Sequence, residues 1–324
     1  MTVDLVLVGF GNVARRFVDL VHEQRRALAR DEGLDVRIIA IATKRHGCAV
    51  DHAGLDARAL ARRVEQGLSL PLPASGASAG RFIRAVAAGS AAAREGRLVL
   101  VETTTLDIGR GEPATAHVKT ALAAGAHVVT ANKGPVAFAY KRLARAAGRA
   151  QRRFLFEGAV MDGIPVFNLA REVLPLAQVT GFRGVVNSTT NFILTALEAG
   201  QAFDVALREM QAAGIAEADA SLDVDGWDAA AKAAALSNVL LGAALTPHQV
   251  DRQGIGAATA AWARRAKKSG RRVKLVASAR REGRRVEARV APVELDGDDL
   301  LAGLEGQQNA LVLETSIVGS VRCV

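Results

Sequence analysis

The sequence is poor in cysteine and in aromatic residues, and each shortage excludes a class of protein. Its only two cysteines, Cys48 and Cys323, cannot form a disulfide framework and have no metal-ligand spacing. Aromatic residues make up 4% of the chain, so few side chains are available to stack on nucleic-acid bases. The six histidines are scattered and show no ligand spacing. Because the two cysteines form no disulfide framework, we expect a protein of the reducing cytoplasm.

Long hydrophobic runs are also missing, although half of the residues are hydrophobic. The most apolar segment, Ala229 to Thr246, is interrupted by Lys232, Ser237 and Asn238. It predicts a buried helix and no membrane span. The chain does not open with a basic segment followed by a long apolar one, so we expect no secretory signal. The length of 324 residues allows two domains with separate cores.

Positive charge exceeds negative charge, which gives a formal net charge of +9. Much of the excess lies between Arg264 and Arg285, where arginines and lysines surround Glu282. Such a stretch can bind a polyanion, or it can be a solvated surface of an arginine-rich protein. The scarcity of aromatic side chains favours the solvated surface. We expect no nucleic-acid partner, while a phosphate-bearing cofactor could use part of the charge.

The N-terminal part alternates predicted strands with helices. Apolar, β-branched runs predict strands at Val3–Val8, Val36–Ala42, Leu98–Val101 and Ala126–Thr130. Alternation of this kind implies a parallel sheet with right-handed crossovers. We therefore predict an α/β fold whose N-terminal domain, residues 1–135, is a Rossmann-type parallel-sheet domain.

A Gly-x-Gly-x-x-Ala turn lies between the first predicted strand and the first helix. In this pattern the first glycine permits the tight turn, the second lets the backbone approach a pyrophosphate, and the third position must be small. The alternative is a glycine-rich turn of another α/β protein. The candidate cofactor-binding residues of the turn are Gly9, Phe10, Gly11, Asn12, Val13 and Ala14.

The residues that follow the second predicted strand indicate which cofactor, NAD or NADP, the domain prefers. An acid at this point would hold the ribose hydroxyls of NAD. Here Lys44 and Arg45 follow the strand instead, and they suit the extra phosphate of NADP. The alternative is that they are two solvated loop cations. We expect NADP(H) to be favoured over NAD(H).

The character of the sequence changes after Pro135. Helices and strands no longer alternate regularly, and two strands around a basic turn predict an antiparallel pair. We therefore predict a second, α+β domain over residues 136–304, with residues 305–324 as a candidate return to the first domain. Its main predicted elements are Val136–Gly148, Phe154–Phe156, Val179–Val186, Asn191–Ala199, Phe203–Ala213, Trp227–Leu241, Val273–Ala279 and Val286–Val290.

The segment from Glu217 to Lys232 carries five carboxylates in twelve residues and ends on a lysine. Asp228 and Lys232 are four residues apart, so a helix that begins near Gly226 places both on one face. Crowded like charges repel at a surface, whereas a site that holds an ammonium group and moves a proton gains from them. The alternative is a surface ion pair on a helix.

Four further segments place small or polar residues just after a predicted strand, where open α/β sheets build their sites. They are Val101–Thr105, Thr130–Pro135, Glu157–Pro165 and Gly184–Asn191. Together with the glycine turn and the acidic segment, and in this order, they resemble the homoserine dehydrogenases from the N-terminus to about residue 250.

The resemblance implies a reversible NAD(P)H-dependent reduction of L-aspartate 4-semialdehyde to L-homoserine, in threonine and methionine biosynthesis. It implies that Lys232 transfers the proton beside Asp228, with Lys133 near the nicotinamide. It also implies a homodimer formed through the second domain. The implied substrate-binding residues are Glu217, Asp223 and Thr189. The implied further cofactor-binding residues are Thr103, Thr104 and Lys133. The implied site for a monovalent cation, Na⁺ or K⁺, comprises Glu157, Val160, Asp162 and Ile164.

Two features depart from the pattern that the resemblance implies. Val318–Val324 stands where a glycine-rich segment and a returning helix are expected to begin, and Asp162 replaces a residue that is commonly small. A second hypothesis therefore stays open, namely a catalytically weak or silent NADP-binding protein on the same scaffold. An aspartate-semialdehyde dehydrogenase is disfavoured, because neither cysteine has the setting of an activated nucleophile.

Overall fold

The computed structural model describes residues 1–73, 79–161, 163–212 and 220–324, so the predicted site residues Asp162 and Glu217 lie outside the described part. The chain divides into two compact units. The first comprises Met1–Pro135 with Ala139–Phe156, and the second comprises Val136–Phe138 with Glu157–Val324.

The first unit contains a six-stranded sheet in the order β3-β2-β1-β4-β5-β6. All neighbouring strands are parallel except β3, which runs antiparallel to β2. The predicted parallel sheet is thus confirmed. The elements are β1 Thr2–Val8, α1 Asn12–Asp31, β2 Asp35–Ala42, β3 Cys48–Val50, α2 Ala57–Glu65, α3 Ala79–Gly89, α4 Ala91–Arg94, β4 Leu98–Glu102, α5 Ala114–Ala123, β5 His127–Thr130, α6 Lys133–Ala150 and β6 Phe154–Leu155.

The strands of this sheet are apolar over several consecutive residues because helices cover both faces. In β1 the five residues from Asp4 to Val8 are all buried, although Asp4 is charged. Asp4 is compensated by Arg37, whose guanidinium donates two hydrogen bonds to its carboxylate at 2.7 and 2.9 Å. Ala14 and Val18 of α1 pack into the core beside this strand. The small side chain at position 14 lets the helix lie close to the sheet, as the glycine-turn pattern predicts.

The second unit contains a mainly antiparallel sheet in the order β12-β11-β7-β9-β10-β8, and the predicted α+β organisation is confirmed. Only β8 runs parallel to its neighbour, β10. The elements are α7 Val166–Asn168, β7 Val179–Val185, α8 Ser188–Glu198, α9 Phe203–Ala212, α10 Ser221–Val224, α11 Trp227–Leu240, β8 Asp251–Arg252, α12 Ala257–Lys268, β9 Arg272–Glu282, β10 Arg285–Leu295, β11 Ala310–Thr315 and β12 Ser320–Cys323.

The structure places both boundaries of the second domain at other residues than the sequence predicts. The helix that begins at Lys133 continues to Ala150, and the following strand, β6, pairs with β5 in the first sheet. Most of residues 136–156 therefore belong with the first unit. Residues 305–324 do not return to the first unit, because β11 pairs with β7 and with β12 in the second sheet.

Helix α11 is the apolar segment that the sequence predicts to be a buried helix. Nine of its residues, from Ala229 to Asn238, are buried, and most of them are alanines. Small side chains allow the helix to pack closely against β9 and β10. Across the described residues, no helix combines the length and the apolar character needed to cross a bilayer.

Candidate active site

The glycine turn after β1 has the geometry that a dinucleotide requires. Gly9 has a φ of +91°, and a Cβ at this position would lie 2.6 Å from the carbonyl carbon of Thr103. The Thr103 side chain donates a hydrogen bond to the Gly9 carbonyl, which fixes this close approach. A Cβ at Gly11 would meet no atom within 4 Å. The space above Gly11 is therefore open, at the N-terminus of the 20-residue helix α1, where the glycine pattern predicts a pyrophosphate.

The turn after β2 presents the two cations that the sequence predicts to contact NADP. Thr43 closes this turn, since its backbone N–H and its hydroxyl both donate to the Gly47 carbonyl at 2.9 Å. Its hydroxyl oxygen also accepts from the His46 N–H at 2.8 Å. Lys44 and Arg45 are exposed within this fixed turn.

A buried carboxylate organises the neighbouring strand ends of the first unit. Glu102, the last residue of β4, is fully buried and accepts hydrogen bonds from the backbone N–H and the hydroxyl of Thr104. Its second oxygen accepts from the Thr130 hydroxyl at 2.8 Å, at the end of β5. The predicted cofactor residues Thr103 and Thr104 are thereby held at the carboxyl edge of the sheet, beside the glycine turn.

Asn132 continues this arrangement and positions Lys133. Its side-chain oxygen accepts from the Gly134 N–H at 2.8 Å and caps α6, whose first residue is Lys133. Its amide nitrogen donates to the Thr104 carbonyl at 2.8 Å. Glu102 and Asn132 were missed as site residues by the sequence reasoning, although both lie in segments that follow predicted strands.

The second unit brings the predicted proton-transfer pair together. The ammonium nitrogen of Lys232 lies 3.0 Å from Asp228 Oδ2, and it donates to the Val186 carbonyl at 2.5 Å. The side chains of Lys232 and Asp228 are only 14% and 15% exposed. Because of this burial, the alternative of a solvated surface pair does not describe them.

Asn187 joins the two carboxylates of this cluster. Its amide nitrogen donates to Asp223 Oδ1 at 2.7 Å and to Asp228 Oδ2 at 3.0 Å. Thr189, buried at the start of α8, also hydrogen-bonds to Asp223. Burial raises the pKa of the Asp223 carboxyl, and the hydrogen bonds from Asn187 and Thr189 oppose that rise. The sequence reasoning assigned no role to Asn187.

The predicted cation ligands are described only in part. Glu157 Oε1 accepts from the Phe167 N–H at 2.7 Å, and Oε2 accepts from the Asn168 N–H at 3.2 Å. The carboxylate therefore caps the short helix α7. Among residues 1–73, 79–161, 163–212 and 220–324, no group of three or more histidine, cysteine, aspartate and glutamate side chains is arranged to hold a metal ion.

Comparison with known proteins gives a consistent result for both parts of the chain. The family model described as "Homoserine dehydrogenase, NAD binding domain" matches residues 9–157, and the one described as "Homoserine dehydrogenase" matches residues 165–324. A protein of Pseudomonas canavaninivorans named "NAD(+)-dependent homoserine dehydrogenase" is 36% identical over 98% of this chain and 89% of its own length. The homoserine dehydrogenase of Methanocaldococcus jannaschii is 31% identical over 98% of this chain and 91% of its own length.

The structural comparison agrees with the sequence comparisons. The crystal structure of a homoserine dehydrogenase from Thiobacillus denitrificans superposes with a TM-score of 0.79 at 29% identity, over 99% of this chain and 68% of that one. The chain belongs to the homoserine dehydrogenase family.

Proposed function

We propose that Lys232 and Asp228 perform the proton transfer of the homoserine dehydrogenase reaction, the activity that family membership assigns to this chain. The observation that supports this role is the enclosure of the Lys232 ammonium between Asp228 and the Val186 carbonyl. In the reduction of L-aspartate 4-semialdehyde, a bound nicotinamide supplies a hydride to the aldehyde carbon. The protein must then deliver one proton to the aldehyde oxygen, which gives L-homoserine.

Lys232 suits the delivery of that proton. Negative charge develops on the aldehyde oxygen during reduction, and an ammonium group can first stabilise it and then protonate it. Of the three N–H donors of the ammonium, one faces Asp228 and one faces Val186 in the described part of the chain, and we assign the third to the substrate oxygen. In the oxidation of homoserine the same amine, once neutral, accepts the hydroxyl proton.

Asp223, Glu217 and Thr189 are proposed to hold the amino-acid end of the substrate. A carboxylate must be ionised in order to bind an ammonium group. Burial opposes ionisation of Asp223, while the donors Asn187 and Thr189 favour it, so the polar residues at the start of α8 support binding. Lys133, at the N-terminus of α6, is proposed to contact the nicotinamide and the reacting oxygen.

The cofactor is proposed to bind through the glycine turn, Thr103 and Thr104, with NADP(H) preferred over NAD(H). The preference rests on Lys44 and Arg45, which stand exposed in a fixed turn where an acid would favour NAD. The Pseudomonas relative is named for NAD(+), so the preference needs a direct test. Oxidation of L-homoserine with NADP and NAD in parallel should give the higher kcat/KM with NADP. A higher kcat/KM with NAD would refute the preference.

We also propose a site for a monovalent cation, Na⁺ or K⁺, formed by Glu157, Val160, Asp162 and Ile164. Carboxylate and carbonyl oxygens are the donors that hard cations take. Since Glu157 already caps α7, the cation and the helix would share one carboxylate. Activity measured in KCl and in NaCl, with choline chloride as the control, should rise with the metal cation. Equal activity in all three salts would leave Glu157 with the capping role alone.

The remaining parts of the proposal are a homodimer, a location in the cytoplasm and a place in threonine and methionine biosynthesis. They are supported by the family to which the chain belongs. Light scattering coupled to gel filtration would measure the oligomeric state. The alternative of a catalytically silent NADP-binding protein is not favoured, because the homoserine dehydrogenase family model matches the second unit as well as the first.

The decisive experiment is the substitution Lys232→Ala. We expect the variant to lose homoserine oxidation and semialdehyde reduction but to bind NADPH with unchanged affinity, because its cofactor residues are intact. Lys267→Ala, an exposed position on α12, is the matched control and should keep full activity. Retained turnover in Lys232→Ala would remove this lysine from the mechanism.

A further inference from the structure

Asn187 occupies the junction between β7 and α8, and its side chain also reaches α10 and α11, so four elements of the second unit meet there. It is buried, with 5% of its surface exposed. Its neighbour Val186 supplies the carbonyl that accepts from Lys232, and its own amide reaches Asp223 and Asp228. Two consecutive residues of the junction therefore contact Asp223, Asp228 and Lys232, the charged groups of the proposed catalytic cluster that the structure describes.

The orientation of the Asn187 amide is fixed by helix capping. Its side chain is the N-cap of α8, and its oxygen lies 2.8 Å from the Thr190 N–H and 2.9 Å from the Thr190 hydroxyl. Because a backbone N–H can only donate, the atom facing it must be the amide oxygen. The amide nitrogen is thereby turned towards Asp223 and Asp228, and it offers one N–H to each carboxylate.

We propose that Asn187 is a positioning residue of the catalytic cluster, which holds Asp223 and Asp228 apart and keeps both as hydrogen-bond acceptors. This inference rests on the proposed function of Lys232 and Asp228. A carboxylate in its place could cap α8 equally well, but it could not donate to either aspartate. A serine could also cap the helix, but it has one donor and is too short to bridge two acids.

The consequence for catalysis is a dependence on pH. Among the described residues, the charged groups that face Asp223 are Asp228, which opposes its ionisation, and Lys232, which favours it. The hydrogen bond from Asn187 also favours the ionised form, so its loss raises the pKa of Asp223 further. Since ionised Asp223 is needed to hold the substrate ammonium, the acidic limb of the kcat/KM profile should move to higher pH.

The test compares Asn187→Ser and Asn187→Asp with wild type in homoserine oxidation across the pH range. Both variants retain a favoured N-cap residue, so α8 should remain folded and NAD(P)H affinity should be unchanged. We expect kcat/KM to fall by about ten- to hundredfold, as for lost hydrogen bonds to charged groups, with the acidic limb at higher pH. Thermal unfolding and NADPH fluorescence titration verify that the variants are folded.

A control variant separates positioning from capping. Asp56→Asn exchanges an acid for an amide at the N-cap of α2 in the first unit, where Asp56 accepts from the Ala59 N–H. It should leave both kcat/KM and the pH profile unchanged. If wild type oxidises homoserine but Asn187→Ser and Asn187→Asp keep the wild-type profile, the positioning role is refuted. If wild type has no turnover, it is the proposed function that fails.

Discussion

Lys274 should make the stability of the second unit rise with pH in the alkaline range. The side chain is fully buried in β9, where its ammonium donates to Asn191 Oδ1 at 2.9 Å and to the Leu304 carbonyl at 2.5 Å. Burial lowers the pKa of Lys274 from 10.5 to about 8, and the nearby carboxylate of Glu198 opposes that shift in part. The two values bracket the pH window in which folded and unfolded chains bind different numbers of protons.

The sign and size of the effect follow from that difference in pKa. Below pH 8 the lysine is protonated in both states, and folding must bury the charge. Between about pH 8 and 10.5 the folded chain loses the proton while the unfolded chain keeps it, so the free energy of unfolding increases with pH. A difference in pKa is worth about 1.4 kcal/mol per unit. The range from about pH 7 to about pH 10 crosses only part of the window, so the gain in unfolding free energy over that range is about 2.5 kcal/mol.

Urea unfolding monitored by tryptophan fluorescence would measure this gain. Trp227 and Trp262, the two tryptophans of the chain, both belong to the second unit. The comparison is between wild type and Lys274→Met, which retains the length of the side chain without the amine. Because methionine cannot titrate, the hydrogen bonds that the variant lacks give a constant offset, and only the change of the wild type–variant difference with pH reports the titration of Lys274.

As the pH rises, the free energy of unfolding of wild type should therefore increase relative to that of Lys274→Met. Lys267→Met, at an exposed position of α12, is the control and should show no such shift. A constant difference between wild type and Lys274→Met from about pH 7 to about pH 10 would refute the reasoning.

Three further predictions concern the glycine turn and the residues around α11. Gly9→Ala should lower stability by about 1–3 kcal/mol and weaken NADPH binding, because its φ is +91° and its Cβ would collide with Thr103. Gly11→Ala should leave the thermal midpoint unchanged but still weaken NADPH binding in fluorescence titration; unchanged binding would contradict the phosphate site. Arg252→Ala should lower the free energy of unfolding by about 1 kcal/mol, and with it the urea midpoint, since the guanidinium lies 3.8 Å from the Trp227 ring centroid. An unchanged midpoint would show that this contact contributes nothing.

Local patterns in the sequence were sufficient to predict most of the fold. Apolar runs alternating with helical patterns identify β1, β2, β4 and β5, because a strand buried on both faces must be apolar throughout. The domain boundary was not predictable in this way. The strand at Phe154–Leu155 is visible in the sequence, but its pairing with β5 and not with a later strand depends on tertiary contacts. The strand β11 was not predicted, and its pairing is equally non-local, because its partner β7 lies more than a hundred residues earlier.

The candidate site was predictable where its geometry is local. Asp228 and Lys232 share a helix, and the spacing of four residues is enough to place them side by side. Asp223 and Asn187 are 36 residues apart, and their contact requires the start of α10 to fold onto the start of α8. No spacing rule could have found it, and the sequence therefore yielded the pair but not the residue that holds it.

The two asparagines that sequence reasoning missed have the same construction, which suggests how such residues could be found. Asn132 and Asn187 each follow a strand and cap the next helix, and each side-chain oxygen accepts a helix N–H at 2.8 Å. Capping uses only the oxygen of the amide. The nitrogen then donates to the Thr104 carbonyl in the first unit, and to Asp223 and Asp228 in the second. An asparagine predicted as an N-cap at the carboxyl end of a strand should therefore be examined for a second role, because serine or aspartate would cap as well but could not donate twice.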